Sequence, residues 1–288
     1  MVATGQAGIA LFDQIPNENG SRSIWAAGGV FDTRMRTDDS RAKGASAVAA
    51  AGTDRPIGRQ DQLAVGIALA GMLVQPDLDV PRYGQSAKIR VKGAGPLAYF
   101  QYTPRAGWAE GLVVRGTATV LLLDNDSTAT VFGIKAPKGR SGGEHFAGEL
   151  RAAYSWQLGH GRRSFLKPVA GIRLTHTAFR DPLLGHQTDS SVFGKAFLEH
   201  EIYTDVTLYG AGGAEVPLSR LKIGIDPVGP VDLRNNVPAL FAYQAGLRVR
   251  GGRRWSFGAE LSGKDGRGLH QLGGLVRLRY DFDKRLGG

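Results

Sequence analysis

Six histidines, His145, His160, His176, His186, His200 and His270, are the first side chains to weigh for chemistry. None stands in an HExxH spacing, and the chain has no cysteine to complete a zinc set, so no metal centre is expected. No GxSxG elbow is present. His186, Ser190 and Ser191 supply a base and two hydroxyls close together, the raw material of an acyl hydrolase. His160 lies in the basic turn Gly159-His160-Gly161-Arg162, where solvation accounts for it. Glu149 and Glu260, with arginines nearby, have the residue types for acid–base work, but ion pairing in a wet interior explains them more simply. The glycine-rich stretches 141–143 and 210–213 follow no strand-then-helix pattern, so a phosphate loop is not supported. These residues point to no enzyme and to no cofactor.

The elements that hold them are strands. In residues 271–282, Val276, Leu278, Tyr280 and Phe282 fall on one face of an extended segment, and Arg277, Arg279 and Asp281 on the other. An apolar face ending in two aromatics, opposed by charges, suits a wall between lipid and water. The same contrast recurs along the chain. Leu112, Val114, Ala118, Val120 and Leu122 oppose Arg115, Thr117 and Thr119; Phe146, Leu150, Ala152 and Tyr154 oppose Glu149 and Arg151. Leu166, Ala170, Ile172 and Leu174 oppose Lys167 and Arg173; Val192, Ala196 and Leu198 oppose Lys195, Glu199 and Glu201. Phe241, Tyr243, Ala245 and Leu247 oppose Gln244, Arg248 and Arg250, and Trp255, Phe257, Ala259 and Leu261 oppose Glu260. Two weaker segments fit the scheme as Trp25, Ala27, Gly29 and Phe31 against Asp32, Arg34 and Arg36, and as Lys88, Arg90 and Lys92 against Ile89 and Val91, with a bulge at Gly93 to Pro96.

Twelve strands are counted, at 23–36, 44–52, 62–74, 86–103, 108–122, 146–157, 164–178, 190–203, 204–218, 237–250, 254–262 and 271–282. Short connections near 104–107, 158–163, 203–205 and 251–253 alternate with long ones near 37–43, 75–85, 123–144, 179–189 and 219–236. Alternating short turns and long loops is the pattern of an outer-membrane barrel. The 288 residues suffice for about ten to fourteen strands at roughly 10 residues each. No run approaches the ~20 apolar residues of a spanning helix. The expected fold is therefore an all-β, antiparallel transmembrane barrel, with residues 21–282 as its wall. Residues 3–14 are the one plausible helix, stopped by Pro16 and Gly20, and read equally well as frayed on the surface or enclosed.

The charged face then lines the lumen, through Arg115, Glu149, Arg151, Arg173, Glu199, Glu201, Arg248, Glu260, Arg277 and Arg279. The balance is basic, with a formal charge of +10 and a pI of about 10.0, but the cations gather in no single patch of sequence, so nucleic acid is not an expected partner. Absence of cysteine suits a chain that crosses an oxidising periplasm. No basic-then-apolar leader precedes the strands; Met1 reads as the start of a fragment, with an export signal and an upstream region expected before it.

The stretches His145-Phe-Ala-Gly-Glu-Leu-Arg-Ala-Ala-Tyr154-Ser-Trp and Leu166-Lys-Pro168-Val-Ala-Gly171-Ile-Arg-Leu174 resemble the C-terminal translocator domain of autotransporters. Phe241-Ala-Tyr-Gln-Ala-Gly246-Leu-Arg-Val, Trp255-Ser-Phe-Gly-Ala-Glu-Leu and the closing Gly274 to Phe282 resemble it in the same order. The resemblance implies a 12-stranded barrel of the bacterial outer membrane with an N-terminal helix inside the pore, residues 1–20 forming that helix and its linker. It implies export of an upstream passenger and work as a monomer among outer-membrane lipid and lipopolysaccharide. It makes Gly274, Val276, Leu278, Tyr280 and Phe282 the signal read by the barrel assembly machinery. Asp at Tyr280 or Phe282 should then block assembly, and Asp at Arg279 should be far milder. The family ends on its terminal aromatic, whereas Asp283 to Gly288 follow here as a tail. Asn17 and Asn19 flank Glu18 and form no convincing self-cleavage pair. The alternatives are a stand-alone outer-membrane channel or barrel enzyme, with His186, Ser190 and Ser191 at its outer rim, and a soluble β-rich binding protein.

Overall fold

A computed structural model describes residues 22–36, 40–57, 63–81, 84–104, 110–159, 163–180, 186–218, 239–252, 254–266 and 268–282. The proposed helix at 3–14, the Asn pair and the tail 283–288 lie outside the described residues.

A single antiparallel sheet closes on itself as a 12-stranded barrel. Its strands are β1 (Ser23–Arg36), β2 (Arg41–Ile57), β3 (Leu63–Val80), β4 (Gln85–Tyr102), β5 (Leu112–Val131) and β6 (Gly139–Tyr154). The circuit continues with β7 (Ser164–Phe179), β8 (His186–Tyr203), β9 (Val206–Pro217), β10 (Leu240–Gly251), β11 (Trp255–Gly266) and β12 (Leu269–Asp281). Two short pieces, Ile134–Lys135 and Trp156–Leu158, extend the hairpins at the ends of β5 and β7. The last strand pairs with the first from Ser23 opposite Asp281 to Met35 opposite Leu269, which removes both sheet edges.

Alternation sets the outer surface. Val30, Ile67, Leu69, Val120, Leu122, Ile172, Leu261 and Val276 point outward and are exposed, and every one is aliphatic. No water-soluble sheet would present such a continuous apolar belt, whereas lipid tails accept it without cost. Aromatics gather below the belt, at the rim where the chain ends meet. Trp255 packs on Tyr280 with ring centroids 4.7 Å apart, Phe282 stands edge-on to Tyr280 at 5.2 Å, and Tyr154 lies 5.3 Å from Trp156. Such rings, apolar in body and polar at the tip, belong at a membrane interface.

At the opposite rim the strands run further than the hydrophobic pattern shows. β3 continues to Val80 and β4 starts at Gln85, so the expected loop at 75–85 is a hairpin closed near Gly84. β5 continues to Val131, and Phe132 and Gly133, at φ of 50° and 80°, turn the chain back. The expected long loop at 123–144 is thus mostly sheet. The reason is physical: above the belt both faces of these strands meet water, so side-chain polarity stops alternating while the backbone ladder still pairs. No bulge interrupts Gly93 to Pro96, where β4 keeps one register on β3; the shift lies instead between Glu201 and Tyr203. The expected connection at 219–236 lies outside the described residues.

Candidate functional site in the barrel lumen

The inner wall brings charged side chains together away from lipid. It is not uniform. From β6 to β12 it is ionic. Glu149 and Arg173 are cross-strand partners on β6 and β7, and the Arg173 Nε donates to Glu149 Oε2 at 2.5 Å. The other end of the same guanidinium donates to Glu215 on β9 at 3.0 Å. Glu215 also accepts from Ser191 Oγ at 2.9 Å and pairs with Lys264 Nζ at 2.8 Å. Arg151 reaches the second oxygen of Glu149 at 3.5 Å, and the Arg173 guanidinium lies 4.1 Å above the Phe193 ring. Arg173 on β7 thus links β6, β8 and β9, and Lys264 extends the network through Glu215 to β11. A buried ion needs such company, because an isolated one would be far costlier than the pair.

A second cluster lies nearer the aromatic rim. Glu260 Oε2 accepts from Arg277 Nη2 at 3.1 Å, from Tyr209 Oη at 2.8 Å and from Gln244 Nε2 at 3.3 Å. Lys167 pairs with Glu199 at 2.5 Å across β7 and β8. With Arg115, Arg151 and Arg248 these residues line a cavity of about 190 Å³. Arg115 is buried and donates to Gln101 at 2.6 Å. Glu201 sits further along the inner face of β8, at the register of Thr207.

A third network locks the seam. Arg279 on β12 donates to Asp281 at 2.9 Å and to Asp54 on β2 at 3.2 Å, bridging across β1. Asp54 also accepts from Ser23 Oγ at 2.6 Å and from Tyr99 Oη at 2.8 Å, and Tyr99 accepts in turn from Trp25 Nε1 at 2.8 Å. Tyr99 can lie flat on the wall because position 66 is glycine: a Cβ there would stand 2.2 Å from the Tyr99 ring. Removing the Arg279 charge would take the shared cation from two buried carboxylates, Asp54 and Asp281, which weighs against the expected mild effect at that position.

Between the seam network and the opposite rim, the inner wall of β1–β5 is largely apolar. Trp25, Phe31, Val48, Ala50, Ala68, Ala70, Met72, Val74, Val91, Leu97, Leu121 and Leu123 form one buried cluster. This corrects two assignments. Trp25 and Phe31 face inward, and Ile24 and Val30 meet lipid in their place. Lys88, Arg90 and Lys92 face outward with Asp32, Arg34 and Arg36, while Ile89 and Val91 face in. Both segments carry apolar residues on each face within the belt, so alternation alone assigns no side. Asp54, Tyr99, Glu215 and Lys264 belong to these networks and were not singled out by the sequence reading. Asp54 and Lys264 lie past the strand ends drawn from hydropathy, and Glu215 sits in a glycine-rich strand with little contrast.

Among the described residues the histidines form no common cluster, and only His176 and His186 come near one another. His145 is buried in the wall, bonded through Nδ1 to Thr177 Oγ1 at 2.8 Å. His176 faces out beside Thr188, and His186 stands 6.4 Å from it. Ser191 points inward to Glu215, away from His186, so the hydrolase grouping is not brought together. Among the described residues no cluster of three or more potential metal ligands occurs. On the outer face of β12, Gly274, Val276, Leu278 and Tyr280 run in one line, Val276 and Leu278 exposed and the other two half-buried, and the Phe282 N–H donates to the Arg22 carbonyl at 2.8 Å.

A family model described as autotransporter beta-domain matches residues 24–181. That is the half carrying few of the motifs quoted above, so the two lines of evidence overlap only at 145–181. The fold is similar to the translocator domain of the autotransporter NalP from Neisseria meningitidis, at 14% identity and a TM-score of 0.70, covering 97% of this chain and 95% of that one. It is similar to the transport unit of the autotransporter AIDA-I from Escherichia coli, at 9% identity and a TM-score of 0.72, covering 97% and 98%. The beta domain of the Bordetella autotransporter BrkA is similar at 14% identity and a TM-score of 0.64, covering 91% and 100%. No curated protein matches the chain.

Proposed function

Because the chain belongs to the autotransporter beta-domain family, as an outer-membrane translocator barrel whose role in the family is passenger export, we propose how its two-sided lumen serves that export. The helix expected at residues 3–14 lies outside the described residues; in this reading it is to run through the pore against the apolar arc of β1–β5, joined to the passenger at its far end. The observation that carries this reading is the inner wall itself. Val74 and Leu121 are each 0% exposed although they point into the lumen, and an aqueous channel has no use for an apolar wall. Ile9, Leu11 and Phe12 offer matching apolar surface. The ionic arc opposite satisfies its charges among its own side chains and gives the moving chain little apolar surface to bind.

The finer assignments follow from the same reading. Outward Gly274, Val276, Leu278, Tyr280 and Phe282 serve as the signal for the barrel assembly machinery. Arg115, Glu149, Arg151, Arg173, Glu199, Glu201, Arg248, Glu260, Arg277 and Arg279 line the pore and hold its shape, and no enzymatic step is assigned to them. The barrel acts as a monomer, since closure leaves no edge strand for a partner. The test is a protease-accessible reporter fused upstream of residue 1, behind an export signal, in a Gram-negative host. Surface display of the reporter with the full chain, and its retention when residues 1–20 are deleted, are the expected results. Equal display from both forms would overturn the pore-helix reading, and display from neither would overturn translocation by this chain.

A further inference from the structure

We propose that the outward face of β1–β4, just above the apolar belt on the rim opposite the chain ends, is a binding surface for the phosphorylated headgroup of an outer-leaflet glycolipid. The inference rests on the outer-membrane reading and adds a site to it. Cations scattered in the sequence are gathered there by register. Arg34 lies opposite Lys43, Lys43 opposite Asp77, and Asp77 opposite Lys88, so one charged row crosses four adjacent strands. Arg90 and Lys92 continue it along β4 on the same outward face, each step of two residues advancing about 7 Å.

The height of the row fixes what it meets. On β1 the outward series is Ile24, Ala26, Gly28 and Val30, then Asp32 and Arg34; on β4 it is Tyr102, Phe100, Ala98, Pro96 and Ala94, then Lys92, Arg90 and Lys88. The charges begin where the lipid-facing residues stop, at the level of headgroups. A hollow of about 540 Å³ opens there between Asp32, Arg34, Lys43, Ala45, Gln75 and Asp77. Arg34 is held by Asp32 at 3.1 Å, and Asp124 by Arg140 at 3.3 Å. Lys43, Lys88, Arg90 and Lys92 make no ion pair among the described residues, although Asp77 and Asp126 are cross-strand neighbours. Exposed cations set at headgroup level beside apolar surface match an anchored phosphate, whose acyl chains lie along the belt while its charge meets the row. Around β7–β10 the described outward positions at the same rim are Ala178, His186, Thr188, Val216 and Phe241, none of them Lys or Arg.

The test uses the full chain refolded in detergent and native mass spectrometry of bound lipid, with folding read separately by heat-modifiable gel mobility. The probes are a bis-phosphorylated lipid A, the same glycolipid stripped of phosphate, and inorganic phosphate. The wild type should retain the bis-phosphorylated lipid, K43Q/K88Q/R90Q should weaken it by at least about tenfold, and K92Q alone should weaken it less. Arg55→Gln, outward on β2 toward the other rim, should change nothing. Retention by the folded triple variant within about twofold of wild type would overturn the proposal. So would equal binding of the stripped lipid, which needs only the belt, or displacement by millimolar inorganic phosphate, which would mark a free-anion site. Failure of the wild-type chain to form a heat-modifiable barrel would overturn the membrane reading itself.

Discussion

Strands β1–β5 and β6–β12 present the same apolar belt to lipid and opposite surfaces to the lumen. Leu69 is 74% exposed on the outside of β3 while Val74, inward on the same strand, is 0% exposed, and both are aliphatic. On β7, Leu174 faces out beside Arg173, which faces in and ties Glu149 to Glu215. The lesson is that a membrane barrel dictates only its outer face. The inner face is free to be wet or dry, and here it is both, divided between two arcs. The ionic arc is held by directed hydrogen bonds, and the apolar arc by packing that needs something to pack against.

The division predicts unequal responses to substitution. The largest belongs to Arg173→Met, which leaves Glu149 and Glu215 buried without their shared cation and should cost about 3–5 kcal/mol in urea unfolding of the refolded barrel. A loss below about 1 kcal/mol would mean the arc is solvated like a surface. Next comes Leu121→Ala on the apolar arc, expected at about 2–5 kcal/mol in the same titration if its inner wall is covered, and near zero if it faces open water. Gly66→Val tests the seam: its Cβ enters the Tyr99 ring, so a cost of about 1–3 kcal/mol and loss of Trp25 fluorescence anisotropy are expected. The smallest effect falls outside both arcs. Arg34→Ala breaks an exposed pair with Asp32 and should change stability by no more than about 1 kcal/mol.

Much of this fold is legible in the sequence because lipid contact forces alternation. The last strand and its inward Arg277 and Arg279 follow directly from a period of two. The rest is hidden for three physical reasons. Above the belt the pattern fades, which conceals the hairpins at 75–85 and 123–144. Where small or apolar residues occupy both faces, as around Trp25 and Ile89, period alone cannot name the inward side. Cross-lumen partners such as Arg173 with Glu215, and Arg279 with Asp54, depend on closure of the barrel, which no local pattern encodes. The approach of His176 and His186, with ring centroids 6.4 Å apart, comes from the register of β7 on β8 and not from their spacing in sequence.

The central claim is that the apolar arc, and not the ionic one, holds the N-terminal segment. The chain has no cysteine, so a reporter pair has no background. A cysteine walked through residues 5–12 is combined either with A70C on the apolar arc or with S262C on the ionic arc, and the barrels are oxidised in the outer membrane. The account predicts a disulfide to position 70 from one face of the segment and none to position 262. Bridges formed equally to both positions, or to position 262 alone, would contradict it.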